Sequence, residues 1–194
     1  MLLIAGPTQP LDDEHRWNTA RRLLHDDALK PEDGLTGLLL LLYAQAPSAI
    51  HRLTTEDVEV GAREVRLHLG NAPVHLPEPV AQPAPTVAAN RKGHATIGAL
   101  MPSPWLFPGC QPGRLISTTQ LAQRLNNLDI RPNQARSTAL FQPATEIPAA
   151  ILARTLGIHT DVAVAWQCLS AGDWANHAAE VSHRYSPRRP HDAP

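Results

Sequence analysis

The stretch RPNQARSTALFQPATEIPAAILARTLGIH, residues 131 to 159, sets Arg131, Arg136 and His159 among mostly small and aliphatic residues. Arginine is a residue type able to hold phosphate, because its planar fork donates two parallel hydrogen bonds to the oxygens. Further cations lie in NRKGH, with Arg91 and Lys92, and in the terminal RYSPRR. Each group also has a plainer reading. Arg136 reads equally as a surface helix arginine, His159 as a helix-capping or surface residue, and NRKGH as a solvated loop. Other chemistries find less support. Cys110 and Cys168 have neither metal-ligand spacing nor a disulfide framework and read as isolated thiols. The 10 histidines form no cluster with ligand spacing, and no glycine loop of the nucleotide-binding kind occurs, so neither metal nor cofactor is expected.

The net charge of −1 hides an asymmetry: residues 1 to 90 hold 7 Lys and Arg against 12 Asp and Glu, and residues 91 to 194 hold 10 against 6. The second half is thus the candidate for a polyanion partner, but its excess is small. Contact with duplex DNA is expected to be weak and salt-dependent. A chain of 194 residues suits one domain. MLLIAGP lacks the basic start and long apolar run of a signal peptide, and LLLLLY at 38 to 43 is too short to span a bilayer. A soluble, cytoplasmic protein without a membrane partner is expected.

The elements that must position the cations can be read in turn. PLDDEHRWNTARRLLHDD predicts an amphipathic helix with Trp17, Ala20, Leu23 and Leu24 inward and acids at its N-terminus. LTGLLLLLYAQ, apolar all round, predicts a buried central helix closed by Pro47, and SAIHRL a short turn after it. Residues 58 to 76 alternate with period two, interrupted at Gly61 and at Gly70-Asn71, which predicts a small antiparallel sheet. Prolines at 77, 79, 83 and 85 favour a loop with one short helix, and WLFPG should bury Trp105 with Phe107. From the N-cap Ser117 five short helices follow: STTQLAQRLNNLDI, NQARSTALFQPATE, PAAILARTLG, DVAVAWQCLS and DWANHAAEVSHRY. The expected fold class is α+β, mainly α: a helical bundle with a small antiparallel sheet. It should occupy residues 1–182, with 183–194 a flexible basic tail.

In this order the segments resemble the catalytic domain of the tyrosine recombinases, the phage integrase family. LLLLYAQ followed by LTTEDV resembles the family's buried helix and the segment after it, and VRLHLGNAPVHLPEP resembles its hairpin. WLFPG, IRPNQARSTAL and ILARTLGIH resemble the family's LFP segment, its HxxR helix and its LGH turn. The resemblance implies a chemistry in which a tyrosine attacks a DNA phosphodiester. Two arginines and a His or Trp stabilise the developing charge, and a hairpin lysine protonates the leaving oxygen.

Position by position, the resemblance implies that most of this machinery is missing. The first arginine would fall near Ser48 or Ala49, with Arg52 too far along. The lysine would fall at Asn71, the HxxR histidine at Asn133, and the second arginine at Arg136. The LGH histidine would fall at Ile158 with His159 next to it, and the nucleophile at Gln167 beside Trp166. The expected protein is a catalytically inactive recombinase-like chain that binds DNA or is associated with recombination, with Arg136, His159, Arg131, Lys92 and Arg91 as its DNA contacts. Two alternatives stay open. One is a protein-interaction module or remnant, with a protein partner or a second copy of itself. The other is an active recombinase using Tyr185, on the terminal segment, in a neighbouring subunit's site.

Overall fold

The computed structural model describes residues 12–62, 64–89, 103–111 and 113–171. The helix expected at 173 to 185, the terminal tail, and Arg91, Lys92 and Tyr185 lie outside them.

The architecture is organised around α2, Pro31–Tyr43. Pro31 opens it at N1, where a missing N–H costs nothing, and Glu32 and Asp33 suit the positive end of the helix dipole. Leu35, Leu38, Leu39 and Leu40 are wholly buried, because other helices cover the whole circumference. Those neighbours are α1 (Asp13–His25), α3 (Pro47–Ile50), α4 (Pro83–Ala89), α5 (Thr118–Asn127) and α6 (Pro132–Glu146). The helix ends at Ala44, in the left-handed conformation at φ 54°, ahead of Pro47. Pro47 therefore does not close α2 as the sequence suggested; it opens α3 at N1.

On α1 the buried stripe is Arg16, Ala20 and Leu23, with Trp17 turned out at 49% exposure. The sequence reading placed Trp17 inward. Spacings of four and three put 16, 20 and 23 on one face, and Trp17 lies about 100° round from it. Arg16 is kept there by polar partners: its Nη2 donates to Gln142 Oε1 of α6 at 3.1 Å and lies 3.4 Å from Asp13 Oδ1.

The sheet is an antiparallel meander of β1 (Val58–Val60), β2 (Val65–His68) and β3 (Pro73–Leu76). Val65 pairs with Leu76, and Leu67 with both Val58 and Val74, so one face carries the aliphatic residues to the core. Glu59, Arg66, His68 and His75 take the other face, as period two requires. Leu106 N–H donates to Leu53 O and Thr55 N–H to Pro104 O, which laces the 103–111 segment to the chain before β1. Here Leu106 and Phe107 are the buried pair. Trp105 lies only half-buried, its indole N–H donating to Gly113 O at 3.0 Å. A large ring with one polar edge is accommodated better where that edge finds an acceptor near the surface.

Four of the five expected C-terminal helices fall within the described residues: α5, α6, α7 (Ala149–Leu156) and α8 at 160–171. Ser117 caps α5, accepting from Gln120 N–H at 3.1 Å. Pro143 lies inside α6, which runs on to Glu146. Among the described residues no helix is long and apolar enough to cross a membrane.

Leu39→Ala is expected to destabilise the fold by about 3 kcal/mol, as large-to-small changes in a covered core do. Leu42→Ala, at a partly covered position, should cost less. The urea midpoints of the two variants give the comparison.

Candidate phosphate-binding site

Arg136 sits in the second turn of α6, where that helix crosses the end of α2, and it is half-buried. Its Nε donates to the carbonyl oxygen of Ala44 at 3.0 Å. Burial lowers its pKa from the ordinary arginine value, but arginine begins so far above neutrality that the group stays a cation. Among the described residues its two Nη groups make no hydrogen bond, so the outer edge of the fork is unclaimed.

The residue after Ala44 ties this point to α7. Gln45 is buried, and its Nε2 donates to Leu156 O at 3.0 Å and to Tyr43 O at 3.2 Å. α7 then ends at Gly157, left-handed at φ 66°. The turn between β2 and β3 packs directly on that end: Asn71 N–H donates to Arg154 O at 3.1 Å. A Cβ on Gly70 would come within 2.5 Å of Arg154 O and of Gly157 N, so two backbones touch here and only glycine fits. One run of contacts therefore joins the hairpin turn, the end of α7, the end of α2 and Arg136.

The expected site residues distribute unevenly around this junction. Asn71 is in the turn, exposed, with its backbone committed to α7. His159, two residues beyond Gly157, is exposed and caps α8: Asp161 N–H donates to its Nδ1 at 3.3 Å, and the N–H groups of Val162 and Ala163 donate to its carbonyl oxygen. The Asp161 carboxylate also lies 3.3 Å from Nδ1. Ile158, at the family's histidine position, is half-buried against the second core cluster. Asn133 is exposed one turn before Arg136, and Arg131 is the exposed N-cap of the same helix. Gln167 is half-buried on α8, its carbonyl accepting from Ser170 Oγ, beside the buried Trp166. Among the described residues no side-chain hydrogen bond links Asn133 or Gln167 to Arg136. Ser48, Ala49 and Arg52 are exposed, and among the described residues no hydrogen bond ties them to the junction.

Among the described residues Tyr43 is the one tyrosine, and burial raises its pKa above the ordinary 10. It lies between the two core clusters and lines a groove of about 650 Å³ against Arg16 and Trp17 of α1, which does not include Arg136. The sequence reading passed over Gln45, whose signal is slight: a lone amide directly after an all-apolar helix, where a solvent-facing polar residue would look the same.

No family model and no curated protein matches the sequence. Solved structures do match in fold. XerA recombinase superposes with a TM-score of 0.58 at 12% identity, covering 95% of this chain and 66% of that one. XerH site-specific recombinase, in a post-cleavage complex with palindromic difH substrate, gives 0.59 at 10% identity, over 88% of this chain and 52% of its own. The Tn1549 transposon integrase in complex with circular intermediate DNA gives 0.53 at 17% identity, over 81% and 61%. The chain thus has the fold of the tyrosine recombinase catalytic domain, and it spans between about half and two thirds of the length of these proteins.

Gly157→Ala forces a positive φ on a residue with a Cβ and drives that Cβ into Leu69 O. It is expected to cost about 2 kcal/mol or more and to accelerate hydrogen exchange at the Asn71 amide beyond that of other β2–β3 amides. Tyr43 supplies a pH test. Its folded pKa lies above the unfolded one, so its contribution to stability is present below pH 10 and fades as pH rises past it. An absorbance titration should show this phenol ionising after the free amino acid.

Proposed function

We propose that this chain is a non-cleaving relative of the recombinases that holds duplex DNA through its backbone phosphates, with Arg136 as the principal ligand. The observation that carries the reading is the state of Arg136: a half-buried cation pinned at Nε by Ala44 O, with its Nη edge unclaimed among the described residues, at the junction of α2, α6, α7 and the hairpin. An end-on guanidinium of this kind can donate two hydrogen bonds to one phosphate. Fixed in advance, it loses little side-chain entropy on binding. The similar structures solved with DNA support the choice of polyanion.

The non-cleaving part of the proposal rests on the side chains at the positions where the resemblance would put the catalytic groups. Strand transfer needs a nucleophile, a proton donor for the leaving oxygen and converging cations. Asn71 has no proton to give near neutral pH, and Gln167 has no oxygen that can form a phosphodiester. Tyr43, on the core side of α2, is held away from ionisation. Arg131, the exposed N-cap of α6, His159, the exposed N-cap of α8, Lys92 and Arg91 are proposed as further contacts. With few cations engaged, affinity is modest and falls with salt.

A second reading, a protein-interaction module, draws on the exposed aliphatic side chains Ile151 of α7 and Val164 and Leu169 of α8, at 55%, 45% and 42% exposure. The two readings part in an anisotropy titration with duplex DNA at low salt, where the DNA reading expects saturable binding. Arg136→Ala should then weaken binding by about tenfold and reduce the slope of log K against log salt by about 0.9. A flat wild-type titration, with self-association in light scattering, would instead favour the protein-interaction reading. Incubation with a nicked suicide substrate should trap no covalent adduct; an adduct abolished by Tyr185→Phe would overturn the proposal in favour of an active enzyme.

A further inference from the structure

We propose that Gln45 is a positioning residue for Arg136: its buried side-chain amide sets the one main-chain carbonyl that aims the guanidinium. The inference rests on Arg136 being the phosphate ligand only for its consequence in DNA binding; the positioning itself is a statement about the free protein.

The geometry runs through a single peptide plane. Gln45 N–H donates to Leu39 O at 3.0 Å, back into the last turn of α2. In a trans peptide the N–H and the preceding C=O point in opposite directions, so this bond turns the Ala44 carbonyl outward, where Arg136 Nε meets it at 3.0 Å. Left-handed Ala44, at φ 54°, is what reverses the chain so that this plane stands at the end of the helix. That conformation is disfavoured for a residue with a Cβ, by roughly 1 to 2 kcal/mol, and must be held from outside. Gln45 holds it. One Nε2–H returns to Tyr43 O, bracketing Ala44 from both sides, and the other crosses to Leu156 O on α7. With the residue 3% exposed, water does not replace those bonds.

The second link is to the hairpin. Leu156 immediately precedes Gly157, whose backbone meets Gly70, and Arg154 O receives Asn71 N–H. Gln45 is thus the side chain through which the end of α7, and with it the hairpin turn, is registered to the carbonyl that holds Arg136. A residue needed only to fill core volume would be replaced by Met without consequence for a cation it does not touch.

The test uses Gln45→Met, which keeps length and volume and removes both donors, in the full chain. Without DNA, the Arg136 Nε–H signal in a nitrogen-15 spectrum should exchange slowly in the wild type. In Gln45→Met it should exchange about tenfold faster at temperatures where both proteins are folded. With DNA, Gln45→Met should lower affinity several-fold and take away about the same salt slope as Arg136→Ala, and should add nothing in an Arg136→Ala background. Unchanged Nε–H exchange in Gln45→Met would overturn the proposal, as would an undiminished effect of Gln45→Met in the Arg136→Ala background. Should that variant fail to fold, the wild type decides: exchange of the Gln45 side-chain amide and of Arg136 Nε–H must share one opening rate, and two independent rates would sink the inference. Loss of DNA binding in the wild type, with the exchange results as expected, would remove the proposed function and leave the positioning standing.

Discussion

The way α2 ends governs much of what the molecule can do. A helix covered on every side has no solvent into which its last carbonyls can turn, so each must find a protein donor or cost the free energy of a buried, unpaired polar group. Here the termination is met by left-handed Ala44, the return bond from Gln45 N–H to Leu39 O, and the Gln45 side chain on Tyr43 O. Ala44 O accepts from Arg136 Nε. A cation beside this junction is therefore part of how the fold satisfies its own backbone. Among the described residues Arg136 is half-buried with no carboxylate partner, and the oriented carbonyl dipole of Ala44 stands at its Nε instead.

The same constraint separates scaffold from chemistry. The junction asks of Arg136 only a donor at Nε, and of Gly70 and Gly157 only the lack of a Cβ. Those needs are structural and exist whether or not any phosphate is bound. Among the described residues no side-chain hydrogen bond ties residue 71, 133 or 167 to a partner; Asn71 and Gln167 contribute through their backbones, and Asn133 is exposed. Positions of the second kind can change side chain while the fold survives.

Much of the fold was legible in the sequence, for identifiable reasons. The all-apolar run of α2, the period-two alternation of 58 to 76, and the caps Ser117 and Gly157 are local signals, and each produced its element. Where the reading went astray, a tertiary partner decided. Trp17 looked like the inward residue until Gln142 of α6 gave Arg16 a reason to be there instead, and Trp105 turned outward to reach Gly113 O. Pro47 looked like a stop because proline forbids a continuing helix, yet Ala44 had already ended it; no local rule places an alanine in the left-handed region. Arg136 stood out in the sequence through its motif context, whereas Gln45 did not, because its two acceptors are carbonyls 2 and 111 residues away.

The two turns of the meander differ in what they touch. The first, closed by Gly61 N–H on Glu64 O, has exposed residues at 61, 62 and 64. The second is wedged backbone to backbone against the end of α7. Length variation is thereby directed: an epitope or a fluorescent graft fits between β1 and β2, whereas even one added residue between β2 and β3 would have to push a helix aside.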